Sequence, residues 1–128
     1  MVKVMNQQYP KLYILIKDSI DLGHAVVAAA HAPLVYLKTI DELGIKVAFQ
    51  PEGGKEYDDL SSKWGKWLED SFRKVVCKVT EEEFEKAKES EVYHVVLTES
   101  GLDNQEVAIV FGPQYEWPKF FQYLKLYK

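Results

Sequence analysis

The chain has one cysteine, Cys77, and one arginine, Arg73, among 128 residues. A single thiol excludes an internal disulfide framework and any cysteine-rich zinc site. Nucleic-acid affinity is built mainly from Lys and Arg facing phosphates. The lone arginine, the scattered lysines and a formal net charge of -4 therefore argue against a broad nucleic-acid surface. No apolar run is long enough to cross a bilayer. The most apolar stretch, Ala25 to Leu37, is interrupted by His31 and Pro33. The first residues, Met1 to Gln8, lack the apolar core of a signal peptide, so a cytoplasmic protein with no membrane partner is expected. Gly53-Gly54 lacks the Lys-Ser/Thr pair of a phosphate loop. The acids at Glu52, Glu56, Asp58 and Asp59 match no known metal cage and read as a solvated loop. Neither a metal nor a cofactor is expected.

What is present is a 47% hydrophobic composition, enough for one globular domain over residues 1–128. Leu12 to Ile16 is an apolar run, followed by the polar turn Lys17 to Asp21 and a helix rich in small residues. That order starts a βα unit. The helix is expected over 23–44, closed by Gly44, with a kink or break at Pro33. Ile45 to Phe49 alternates like a short strand. Ser61 or Ser62 could cap a helix to about Asp70, with Trp64 and Trp67 on one face. Phe72 to Val79 alternates as a strand. Thr80 and Glu83 form a capping-box pattern for a helix to about Ser90, with Phe84 and Ala87 facing in. Val92 to Thr98 and Val107 to Phe111 read as an antiparallel hairpin. A last helix is expected after Gly112-Pro113, with Pro118 near its first turn, and the tail from Tyr123 to Tyr127 alternates weakly. This order implies one mixed sheet with helices on both faces.

Several segments, in order, resemble the class II peptidyl-tRNA hydrolases, the archaeal and eukaryotic type. They are the strand and turn ending in Leu22-Gly23, the helix segment Ala28-Ala29-Ala30-His31-Ala32, and Trp67 followed by the strand Lys74 to Val79. The turn Glu99-Ser100-Gly101, the strand Val107 to Phe111 closing in Gly112-Pro113, and the ending Leu124-Lys125-Leu126-Tyr127 complete the pattern. The resemblance spans roughly residues 11–127, apart from the segment near 45–62. It implies a three-layer α/β/α sandwich on a mixed four-stranded sheet, usually dimeric, and hydrolysis of the ester in peptidyl-tRNA. The family has a lysine where this chain has His24, and a glutamine where it has Ala28. Glu99 stands for the aspartate of the family's turn, and Asp103 for a threonine.

The resemblance thus makes His24, Glu99 and Asp103 the candidate catalytic residues, and Gly23, His31 and Gly101 the candidate substrate-binding ones. His24 would open the helix, where unpaired backbone N–H groups attract anions and an imidazole oriented by a carboxylate can act as acid or base. Glu99 is the expected carboxylate. His31 falls on roughly the same face, about 10 Å further along the axis, too far for both to hold one metal ion. Each residue also has a plainer reading. His24 could simply face solvent, His31 could be a buried or interface histidine, Glu99 and Asp103 could be ordinary hairpin residues, and Cys77 a core residue. Two functions stay open. One is a divergent enzyme acting on peptidyl-tRNA or a related aminoacyl adduct. The other is a non-catalytic module binding a small molecule, RNA or a protein through the same mouth. The Ala-rich helix and the surplus of aromatics suggest a homodimer.

Overall fold

The computed structural model describes residues 9–47 and 60–128. The expected strand-like segment at 45–49 lies partly outside them, and residues 45–47 form no strand. The glycine pair at 53–54 and the acidic loop at 52–59 also lie outside.

The first strand, β1 (Lys11–Lys17), is buried along nearly its whole length, because it is the middle strand of the sheet and both of its faces are covered. It leads into α1 (Leu22–Glu42). Helix α2 (Leu60–Lys66) passes directly into a wider π-helical turn, Trp67–Ser71. Strand β2 (Arg73–Val79) runs parallel to β1, and α3 (Glu81–Ala87) follows it. Strands β3 (His94–Glu99) and β4 (Gln105–Gln114) form the antiparallel hairpin. A two-residue strand, β5 (Lys125–Leu126), pairs antiparallel with β2. The sheet order is β3-β4-β1-β2-β5.

The expectation of four strands is therefore corrected to five. The extra strand is the tail, which docks onto β2 opposite Cys77 and Lys78, and Tyr127 N then donates to Val76 O at 2.8 Å. The architecture is otherwise the mixed sheet with helices on both faces. Leu12, Ile14 and Ile16 of β1 pack under α1 and α2. Tyr13 and Leu15 face the opposite way, toward Phe84 and Ala87 of α3 and Phe121 of the C-terminal segment.

Other boundaries moved for identifiable reasons. Helix α1 continues through Pro33 without a break. It ends at Glu42, and Gly44 then takes φ +85, the left-handed conformation that lets the chain leave the helix. Ser61 and Ser62 lie inside α2, so neither is its cap. The capping box at α3 is formed in full: Thr80 Oγ1 accepts from Glu83 N at 3.1 Å, and Glu83 Oε1 accepts from Thr80 N at 2.9 Å. That helix stops at Ala87 rather than Ser90. Strand β4 does not end at Phe111. Gly112 and Pro113 both stand across from Leu12, between the pairs Lys11–Gln114 and Tyr13–Phe111, so the strand carries a bulge there. A bulge tolerates a proline, which has no N–H to give the ladder. The expected last helix is only a 3-10 turn, Lys119–Tyr123, with Pro118 just before it.

Gly112 decides how closely the upper layer sits. A Cβ at this position would overlap the Tyr36 hydroxyl and ring and come within 3.2 Å of Trp64 Nε1. Tyr36 belongs to α1 and Trp64 to α2, and both are fully buried. The missing side chain is what lets the two helices rest on β4.

Candidate functional site

Strands β1, β2 and β3 all point the same way, so their C-terminal ends share one edge of the molecule. The start of α1 and the β3–β4 turn meet at that edge. Asp21 is the N-cap of α1, with extended backbone at φ -66 and ψ 158, and its carboxylate accepts from His24 N at 3.3 Å. The same carboxylate lies 2.7 Å from His24 Nδ1. One short side chain thus caps the helix and orients the imidazole. The hydrogen bond from the imidazole, followed by that from the His24 backbone N–H, holds the Asp21 carboxyl below the usual carboxylate range. The carboxylate bonded to His24 is therefore Asp21, in place of the expected Glu99.

With Nδ1 turned to Asp21, Nε2 faces the turn. A Cβ built on Gly101 would lie 3.6 Å from His24 Nε2 and 3.4 Å from Glu99 Oε2. The imidazole and the carboxylate therefore converge on the small space that Gly101 leaves open. Glu99 Oε2 also accepts from Gly101 N at 3.2 Å, which pins the short 3-10 turn Ser100–Leu102. Gly101 matters here for its missing side chain, since its φ is not positive.

The remaining candidates are less tightly gathered. Gly23 lies in the first turn of α1, with its Cβ position 3.4 Å from Asp21 Oδ2. His31 is exposed one side of a cleft of about 270 Å³ between α1 and β3. Ala28 and Val35 line the same wall, Val96 and Thr98 the other, and Glu99 closes the end nearest His24. Glu99 is thus the residue shared by the cleft and the His24 corner. Asp103 is exposed at the tip of the turn with φ 57, followed by Asn104 at φ 60. Among the described residues no hydrogen bond or ion pair joins Asp103 to His24 or Glu99.

Two relevant residues escaped the sequence reading. Asp21 carried a local signal, an N-cap acid three positions before a histidine. Lys17 ends β1 almost fully buried, pairs with Glu81 at 3.2 Å and lies over the Phe84 ring at 4.7 Å. It could not be read as buried, because that depends on α3 folding over it. With Lys17 turned to Glu81, the charged side chains beside His24 are the carboxylates of Asp21 and Glu99. Among the described residues no group of three or more His, Cys, Asp or Glu could hold a metal ion. Cys77 is buried in β2, and burial, followed by the nearby Glu83 charge, pushes its thiol up to about 11. A thiol so placed is mostly un-ionised at neutral pH and contributes packing.

No protein-family model and no curated protein matches the chain. Among the described residues no helix is long and apolar enough to cross a membrane.

Proposed function

We propose that this protein is a divergent hydrolase of the peptidyl-tRNA hydrolase II type, acting on the ester of an aminoacyl or peptidyl adduct. The observation that carries the reading is the Asp21–His24 pair, with Nε2 directed at the open space beside Gly101 and Glu99. In this reading Nε2 takes a proton from a water molecule as the water oxygen attacks the ester carbonyl. The acyl–oxygen bond then breaks, and the imidazolium returns the proton to the departing hydroxyl. Asp21 steadies the imidazolium. The first-turn N–H groups of Leu22 and Gly23, which have no acceptor within the helix, face the developing oxyanion. Gly101 leaves room for the reacting carbon.

The carboxylates around the mouth favour the ammonium end of an aminoacyl group over a phosphate, and Glu99 is the group placed to receive it. The cleft beyond, walled by Ala28, Val35 and Val96 and passing His31, suits an apolar side chain of the acyl group. A second reading, a non-catalytic binding module, is favoured by one observation: Lys17, the lysine nearest the mouth in sequence, is committed to Glu81. Incubating the purified protein with peptidyl-tRNA and with a free aminoacyl ester separates the two. Release that disappears in His24→Ala supports the hydrolase. Binding without release supports the module.

The same proposal extends to assembly and place. Leu22, Val26, Val27 and Leu34 are exposed on α1, and the helix carries no Asp, Glu, Lys or Arg from Leu22 to Leu37. A second copy of the chain would cover that uncharged face, giving a cytoplasmic homodimer. A solution mass near 14.8 kDa by light scattering would refute the dimer.

A further inference from the structure

The opposite end of the sheet, where β1 and β2 begin, carries a feature the proposal above does not use. Phe72 follows the π-helical turn and caps it, its N–H donating to Trp67 O at 2.8 Å. Its φ is 53 and its ψ 25, a left-handed conformation that glycine adopts at helix ends without steric cost. A bulky residue there is under backbone strain. The residue is nevertheless 55% exposed. It stacks on Trp67, with centroids 4.6 Å apart and planes 26° from parallel. Trp67 in turn is buried and anchored, its indole N–H donating to Arg73 O at 2.7 Å.

Lys74 Nζ lies 4.2 Å from the Phe72 ring centre and 5.4 Å from that of Trp67. With the 4.6 Å stacking distance, these lengths make a triangle whose corner at Phe72 approaches a right angle. The ammonium therefore lies over the side of the Phe72 ring that Trp67 also covers, and leaves the outer face of Phe72 open. Lys74 Nζ also donates to Phe72 O at 3.2 Å, while the pleat of β2 turns the Arg73 side chain to the opposite face of the sheet. Among the described residues no carboxylate pairs with Lys74. A rigid aromatic face beside an ammonium that no carboxylate neutralises is an arrangement that binds a base by stacking and its phosphate by charge.

We infer that Phe72, backed by Trp67 and flanked by Lys74, is a stacking platform for single-stranded RNA. The platform itself stands on its own geometry, and only the choice of RNA over DNA rests on the ester-hydrolase reading. The overall acidic charge does not oppose it, because phosphate attraction is set by the local field.

The test is fluorescence anisotropy of the full chain with a labelled single-stranded RNA of about a dozen nucleotides, at low salt. Phe72→Leu keeps an apolar cover over Trp67 and the same backbone demand but removes the aromatic face. It should weaken binding roughly tenfold or more, whereas Phe72→Tyr should bind like the parent. Lys74→Glu should weaken binding and flatten its salt dependence. A thermal melt of each variant checks that the fold is kept. Equal affinity of Phe72→Leu and the parent overturns the inference, as does failure of the parent to bind, equal binding of the duplex form, or preference for DNA of the same sequence. His24→Ala should leave this binding unchanged, so loss of the hydrolase reading and loss of the platform are separately visible.

Discussion

Replacing Gly112 by Ala adds one methyl group where the structure has no room for it. The new Cβ would overlap the hydroxyl and Cζ of Tyr36 and touch Trp64 Nε1 at 3.2 Å. Tyr36 cannot swing clear. It is fully buried, and its ring contacts Trp64 and Tyr93 with centroids 5.1 and 5.6 Å away. Overpacking of this kind costs about 1–3 kcal/mol, and a clash with a fixed aromatic ring belongs near the top of that range. Against it stands the smaller freedom of alanine in the unfolded chain, about 0.4–1 kcal/mol. The net expectation is a loss of about 2 kcal/mol, or roughly 7 °C in Tm for a chain of this length. Circular dichroism melts of Gly112→Ala and the parent measure it. Tyr36→Phe removes the hydroxyl but leaves Cζ, so in the Gly112→Ala background it should recover part of the loss. In the parent it should be mildly destabilising, since it removes the hydroxyl's long bond of 3.4 Å to Tyr93 O and its hydrogen bonding with Trp64 and Gly112. An unchanged or raised Tm for Gly112→Ala would show that the helices can lift off β4 cheaply. The account of what holds α1 in place would then be wrong.

Gly101→Ala should fold normally, because its Cβ meets only contacts of 3.4 and 3.6 Å, yet ester hydrolysis should drop sharply as the methyl fills the space between His24 and Glu99; full activity by a release assay would place the reaction elsewhere. Thr80→Ala should cost about 1 kcal/mol by denaturant unfolding, since it removes the side-chain bond that begins α3. Asp21→Asn should be less stable than the parent at neutral pH. The folded carboxyl titrates below its ordinary value of 3.8, so its contribution is present above that value and is lost as pH falls through the folded pKa. Parallel stability–pH curves for the two proteins would refute the Asp21–His24 pairing. Native Cys77 should resist thiol reagents at pH 8 and react fully on unfolding, as its raised pKa and burial require.

Much of the frame was legible because it is written in local periods. β1 is a continuous apolar run, the Thr80–Glu83 box starts α3, and the two alternating segments around Ser100–Asn104 form the hairpin. Each signal depends on residues a few positions apart. The candidate site was legible only in part. His24 at a helix start and Glu99 at a strand end could be named, and the parallel course of β1 and β3 brings them to one edge. Which carboxylate holds the imidazole was misjudged, although Asp21 stands only three residues away.

Local sequence chemistry set β1, the course of α1, β2, the start of α3 and the hairpin, together with the two-faced burial of the sheet. Hydrophobic spacing and capping chemistry act within a turn or two of backbone and leave little choice. Tertiary structure decided the rest. Lys125 and Leu126 become a strand only because β2 offers them an edge. Gly112 and Pro113 stay within β4 only because β1 accepts a bulge opposite Leu12. Lys17 is buried only because α3 closes over it. Phe72 is exposed on a buried Trp67 only because the π-helical turn directs it there. These outcomes are energies of contact between residues far apart in the chain, and no local pattern carries them.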